Sequence, residues 1–187
     1  MNVMELHRKA VENFAQKVQQ VSVDHWGQPT PCTEWDVRAL VNHVVSEERW
    51  VKPLVEGKTI EEVGSAFDGD LLDDDPAGAA AAAGSEAVVA FDEGETETVH
   101  LSFGDTPVNE YAMQMTADHL IHGWDLAAAT GMDRTMDPEL VGVVAEWFAS
   151  QEEAWRSAGA IGPRADTVGD PQADLLAAFG RNSNWEA

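Results

Sequence analysis

The chain has 187 residues and one cysteine, and 34 acidic against 11 basic residues give it a formal net charge of -23. We expect this length to form one domain, residues 1–187, and the negative charge argues against nucleic acids and anionic membranes as partners. A lone cysteine forms no internal disulfide, and no membrane-spanning stretch or signal-peptide core is apparent, so we expect a cytoplasmic protein.

The first two predicted helices are amphipathic. Apolar residues recur every three or four positions from Val3 to Val21, which is typical of a helix with one buried face. A second helix is predicted to start at a capping box formed by Thr33 and Asp36 and to continue to Val55. It carries two stripes that could be buried, which favours a position inside a helix bundle.

The middle of the chain alternates between loop and regular structure. Residues 57–77 are rich in glycine and aspartate and predict a loop, and the alanine-rich stretch 77–91 has high helix propensity. Residues 97–103 alternate in polarity, which predicts a short strand or an extended crossover.

The remaining segments complete an all-α prediction. A fourth helix is expected over 107–130 and ends at Gly131, a typical C-terminal glycine. Asp137 followed by proline predicts the start of a fifth helix whose buried face extends to Trp155, and one short helix is expected near 171–179. The predicted fold is a four-helix bundle with an extra C-terminal helix and a short extended crossover.

Helix four carries the most informative side chains. Asp118, His122 and Asp125 share one stripe of a helix that is otherwise apolar nearly all round, so the helix is expected to be buried. An ionised carboxylate in such a place costs several kcal/mol unless it is paired or bound to a metal. An acidic residue followed four positions later by histidine puts two metal ligands on one helical face.

A third ligand is available on helix two. His43 lies on its polar stripe, and three protein ligands with one position left open are typical of catalytic zinc. Glu47 and Asp125 are then expected to orient the histidines, because a metal-bound imidazole usually donates its other nitrogen to such an acceptor. No catalytic residue is assigned.

The same residues allow simpler interpretations. Asp118 and His122 could form a hydrogen bond that fixes helix packing, and His43 could be an ordinary core or boundary histidine. His119 is expected on the flank of helix four, from which it could substitute as a ligand. Cys32 precedes helix two, where a thiol can be reactive, although a small residue packed beneath the turn is the simpler interpretation.

Three segments resemble one known family. Thr30–His43, Asp118–Ala127 and the ending Ala177–Trp185 are similar to the DinB-like, mycothiol-dependent maleylpyruvate isomerase N-terminal family of actinobacteria. The resemblance implies a four-helix bundle that holds a divalent metal, usually zinc or nickel, through three residues. Residue by residue, those ligands fall on His43, Asp118 and His122.

The resemblance also implies a function. We expect a transferase or isomerase in which the metal and a small thiol cofactor such as mycothiol act on a small electrophile. The isomerase proper has a second domain for which this chain has no room, which argues against maleylpyruvate isomerisation itself. It also has Glu where this chain has Asp118, and the shorter side chain changes the reach of this ligand and with it the expected choice of metal. Alternatives are a metal-stabilised binding or stress-response module and a metal hydrolase, and a homodimer is left open.

Overall fold

The computed structural model describes residues 1–166 and 169–186, and it is mostly helical, as predicted. Residues 167, 168 and 187 of the predicted domain lie outside the described residues. In chain order the elements are α1 (Val3–Val18), a 3-10 turn (Val23–His25), α2 (Val37–Val55), α3 (Ile60–Val63), α4 (Pro76–Glu93), β1 (Thr98–Leu101), β2 (Gly104–Pro107), α5 (Val108–Thr130), α6 (Pro138–Phe148), α7 (Glu152–Ser157) and α8 (Pro171–Ala178).

The four long helices form the predicted bundle. α1 packs against α4 and α5, and α2 packs against the same two helices, so the four close into a ring around an apolar core. α5 is the most deeply buried, because most of its residues from Tyr111 to Ala129 are shielded from solvent. α6 and α8 pack together beside this ring. None of the described helices is long and apolar enough to cross a membrane.

The start of α2 corrects the predicted capping box. The N-cap is Asp36, whose side chain accepts a hydrogen bond from the backbone N–H of Ala39 at 2.8 Å. Thr33 lies before the helix in a turn that is closed by the bond from the Trp35 N–H to the carbonyl of Cys32. An isolated antiparallel bridge between Pro29 and Asp36 closes this turn, so the helix begins three residues later than predicted.

Three further elements differ from prediction. A short helix, α3, lies inside the predicted loop, and β2 turns back on β1 as a hairpin that pairs His100 with Asp105. The predicted fifth helix is broken between α6 and α7. After the intervening turn, the ring centroids of Trp155 and Phe148 lie 5.4 Å apart in an edge-to-face contact, so the apolar contact is kept without a continuous helix.

The bundle core contains a buried polar cluster formed by His7, Glu48 and His119. The expectation that His119 lies on a flank is wrong, because this side chain is fully buried and its Nε2 lies 2.9 Å from Oε1 of Glu48. Its Nδ1 donates to the carbonyl of Met115 at 2.7 Å, so both ring nitrogens are engaged within the core. His119 therefore stabilises helix packing instead of offering a free metal ligand.

His7 makes the stability of the fold sensitive to acid. Its Nε2 is buried and has no hydrogen-bond partner in the part of the chain that the structure describes. Burial, with nearby His119 and Arg8, holds the pKa of His7 well below its usual range. In the unfolded chain His7 binds a proton near pH 6.5, whereas in the folded chain it stays neutral to lower pH. The free energy of unfolding therefore falls as the pH drops below about 6.5. We expect His7→Leu to remove up to about 1 kcal/mol of this loss between pH 6.5 and 5.5 in urea unfolding. An unchanged pH dependence in the variant would assign the acid sensitivity to other groups.

Candidate metal centre

His43, Asp118 and His122 come together between α2 and α5. Oδ1 of Asp118 lies 3.5 Å from Nε2 of His43 and 3.3 Å from Nε2 of His122. One ligand atom from each of the three residues lies within 4.8 Å of the others. The two residues on α5 are one turn apart, and the packing of α2 against α5 places His43 opposite them.

This arrangement fits a divalent cation. With bonds of about 2.0–2.1 Å, neighbouring ligands around a tetrahedral ion are separated by about 3.3–3.4 Å, close to the two observed separations. Oδ2 of Asp118 is buried and has no hydrogen-bond partner among the described residues. A buried carboxylate oxygen without a partner is costly, and a bound cation would remove that cost.

The electrostatics around Asp118 favour positive charge. Burial alone would raise the pKa of Asp118, but the imidazoles of His122 and His43 hold it well below its usual range. Burial alone would lower the pKa of His122, but the Asp118 and Asp125 carboxylates outweigh it and hold it well above its usual range. A cation at this position would take the place of the proton, so metal binding there releases a proton.

Asp125 has the contact expected of a residue that orients His122. It is fully buried, and its Oδ2 lies 3.0 Å from Nδ1 of His122. With Nδ1 donating to this carboxylate, the neutral imidazole presents the lone pair of Nε2 toward Asp118 and His43.

Arg181 anchors Asp125 and was not predicted from the sequence. Its Nε lies 3.1 and 3.2 Å from the two oxygens of Asp125, and its Nη2 lies 2.8 Å from Oδ2. The Arg181 residue follows α8 and its Nη1 donates to the carbonyl of Phe179. The C-terminal segment is thereby attached to the carboxylate that holds a candidate ligand.

Cys32 lies beside the same ion pair. Its Sγ is 2.7 Å from Nη2 of Arg181, 3.4 Å from Oδ2 of Asp125 and 4.0 Å from Nδ1 of His122. Cys32, His122 and Asp125 also lie close enough together to be metal ligands, but the Arg181 guanidinium already provides their positive charge. Cys32 is thus packed against the polar network and not simply beneath the turn, and its reactivity stays a prediction.

Glu47 lies near the centre without the predicted contact. Within residues 1–166 and 169–186 it forms no hydrogen bond to His43, and its side chain instead lines the adjacent cavity. Burial and the nearby Asp118 raise the pKa of Glu47. Trp35 contacts the His43 ring instead, with centroids 4.5 Å apart and planes inclined by 32°. This aromatic contact, absent from the sequence prediction, restricts the orientation of His43.

A cavity of about 290 Å³ opens beside the three candidate ligands. Its polar wall comes from α2 and α5, and its apolar wall includes residues of α7 and the C-terminal segment. The lining residues are His43, Glu47, Tyr111, Gln114, Met115, Ala117, Asp118, Ile121, His122, Trp155, Ala160, Ile161, Phe179 and Arg181. The space suits a small molecule that approaches the candidate ligands with an apolar body.

Comparison with known sequences identifies one family. The profile of the mycothiol maleylpyruvate isomerase N-terminal domain matches residues 7–127. Uncharacterized proteins from two strains of Mycobacterium tuberculosis are each 32% identical over 178 residues, covering 93% of this chain and 87% of the relative.

Comparison with solved structures supports the same fold. A crystal structure of the mycothiol-dependent maleylpyruvate isomerase matches with a TM-score of 0.70 and 16% identity over 97% of this chain and 89% of that chain. A mutant of such an isomerase matches with a TM-score of 0.66 and 17% identity, covering 90% of this chain and 75% of that chain. At these identities the likeness shows a DinB-like helical fold and nothing about substrate.

Proposed function

The chain belongs to the mycothiol maleylpyruvate isomerase N-terminal domain family, and we propose that it is a metal-dependent enzyme that uses a small thiol. In this proposal a divalent ion, zinc or nickel, and a thiol such as mycothiol act together on a small electrophile. The reaction is a transfer of the thiol or an isomerisation through it.

The convergence of His43, Asp118 and His122 at the cavity supports this proposal most directly. Two imidazole nitrogens and one carboxylate oxygen lie within 4.8 Å of one another, and Oδ2 of Asp118 has no hydrogen-bond partner within residues 1–166 and 169–186. Three protein ligands beside an open cavity leave room for a further ligand, as in catalytic metal sites.

The protein residues have separate roles in the proposed enzyme. His43, Asp118 and His122 would hold the ion, and Asp125 would keep Nε2 of His122 directed toward it. When bound, the ion lowers the pKa of a coordinated thiol and so makes thiolate available near neutral pH. The apolar side chains of Ile121 and Phe179 line the cavity and would contact the apolar part of a bound molecule.

Chelation tests the proposed metal dependence. We expect zinc- or nickel-loaded protein to accelerate the reaction of mycothiol with 1-chloro-2,4-dinitrobenzene, followed spectrophotometrically. Removing the ion with a chelator should lower the rate at least about 100-fold, since thiolate formation is then lost, and adding the ion back should restore it.

The control and the alternatives use the same assay. His100→Ala removes a histidine that is paired with Asp105 on the hairpin surface, so it should leave the rate unchanged. A drop in melting temperature on chelation without thiol transfer would contradict the proposal and favour a metal-stabilised binding module. Turnover of ester substrates without added thiol would instead favour a metal hydrolase.

A further inference from the structure

The charged groups around the cavity are mostly acidic. Glu47 and Asp118 line it directly. In the metal-free protein the protonated His122 is already paired with Asp118 and Asp125, and Arg181 is the one permanently cationic side chain among the described lining residues. A substrate that carries carboxylates therefore depends on Arg181, or on the ion itself, for charge compensation.

Arg181 is already occupied by the protein. Each of its three guanidinium nitrogens donates a hydrogen bond within the chain, to Asp125, to the Phe179 carbonyl and to Cys32. Its side chain is 15% exposed, and the carboxylate of Asp125 is completely buried. Moving the guanidinium to a substrate would leave that carboxylate buried without a cation, which costs several kcal/mol.

The basic residues closest in sequence to the lining residues Trp155 and Ile161 are also engaged. Arg156 donates to Glu152 and to the carbonyls of Gly162 and Ala178, and Arg164 pairs with Glu152 at 2.6 Å. Neither residue lines the cavity. These two arginines therefore do not supply a free positive charge to a substrate.

The ion would not supply surplus positive charge either. The carboxylate of Asp118 and a bound thiolate together balance the two positive charges of the ion. Glu47 then adds a further carboxylate to the site. The lining instead offers the amide of Gln114, an apolar wall and the hydroxyl of Tyr111, which has no hydrogen-bond partner among the described residues. These groups suit a carbonyl or nitro oxygen carried on an apolar body.

We propose that the cavity selects an uncharged, largely apolar electrophile with a hydrogen-bond acceptor and discriminates against dicarboxylates such as maleylpyruvate. The use of an electrophile rests on the proposed function, whereas the preference for uncharged ligands rests on the charges of the cavity. Burying a carboxylate beside Glu47 without a cation carries both a desolvation cost and like-charge repulsion.

A matched pair of substrates tests the preference. 1-Chloro-2,4-dinitrobenzene and 4-chloro-3,5-dinitrobenzoate react alike with thiolate: a C–S bond forms, the C–Cl bond breaks, chloride leaves with the electron pair and the thiol proton goes to solvent. Relative to the uncatalysed rates, we expect kcat/KM of the metal-loaded protein with mycothiol to be at least about 10-fold higher for the uncharged substrate. Equal values, or a preference for the benzoate, would overturn the proposal.

Replacing Glu47 by an uncharged residue tests whether its carboxylate causes the preference for the uncharged substrate. Glu47→Gln should reduce the ratio of the two kcat/KM values about threefold or more. Glu56→Gln changes an exposed residue at the C-terminal end of the same helix and should leave that ratio unchanged. If neither variant changes the ratio of the two kcat/KM values, Glu47 does not set the preference, and the charge argument is contradicted.

Ligand binding provides a readout that needs no reaction. Calorimetric titration of metal-free and metal-loaded protein should give tighter binding of 3,5-dinitrobenzamide than of 3,5-dinitrobenzoate, and tighter benzoate binding would overturn the proposal. If neither thiol transfer nor metal binding is found, the proposed function fails while the titration still decides the preference. If metal-dependent transfer favours the benzoate, the function stands and only this inference fails.

Discussion

Replacing His122 by alanine is expected to abolish stoichiometric metal binding. The variant loses one of three ligands, and with it about a third of a metal-binding free energy on the order of 10 kcal/mol, so affinity should fall about 100-fold or more. Asp118→Asn should have a similar effect because it removes the anionic ligand with almost no change of shape. Equilibrium dialysis against buffered zinc, with metal analysis of the retained protein, measures the change.

Controls separate ligand loss from unfolding. His100→Ala removes an exposed hairpin histidine and should bind zinc like the wild type, and the metal-free circular dichroism melts should show that each variant is folded. Full metal content in folded His122→Ala and Asp118→Asn would place any bound ion elsewhere and remove the candidate centre.

Replacing Arg181 by methionine should destabilise the fold strongly. The side chain of Asp125 is fully buried, and without Arg181 its one remaining cationic partner among the described residues is His122. Removing one member of a buried ion pair costs about 3–5 kcal/mol, which corresponds to a fall of roughly 6–20 °C in melting temperature for a chain of this size. Urea and thermal unfolding measure the loss, and metal affinity should fall about 10–100-fold because Asp125 orients His122.

Two matched variants complete that experiment. Arg164→Met breaks a more exposed pair with Glu152 and should cost at most about 1 kcal/mol. Arg181→Met combined with Asp125→Asn should recover part of the lost stability, because no buried charge is then left uncompensated. A loss below about 1 kcal/mol in Arg181→Met would show that the ion pair does not anchor the C-terminal segment.

Local sequence patterns were enough to predict the helix bundle and the shared face of the two candidate ligands on α5. The stripe of Asp118, His122 and Asp125 on a nearly all-apolar helix required a buried helix with a compensated carboxylate, and α5 is such a helix. The helical period decides this arrangement because residues four apart share a face whatever their tertiary neighbours. That His43 faces them depended on two helices packing together, which the family resemblance made specific.

Contacts that join distant segments were not predictable in this way. Arg181 meets a carboxylate 56 residues earlier through an irregular segment, and no periodicity places such a residue. Glu48 is the buried acid that pairs with His119, whereas its neighbour Glu47 faces the cavity. A difference of one residue on α2 turns a side chain by about 100°. For a helix with two buried faces, the sequence alone therefore does not tell whether a polar residue faces the core or the cavity. That depends on which neighbouring helix covers each face.

X-ray absorption of the zinc-loaded protein tests the metal site most directly. We expect one ion per chain with nitrogen and oxygen ligands from His43, Asp118 and His122, and a sulfur neighbour at about 2.3 Å that appears only after mycothiol is added. A sulfur ligand present before any thiol is added would point to Cys32 and contradict the predicted ligand set. Zinc that fails to bind stoichiometrically would contradict the metal centre itself.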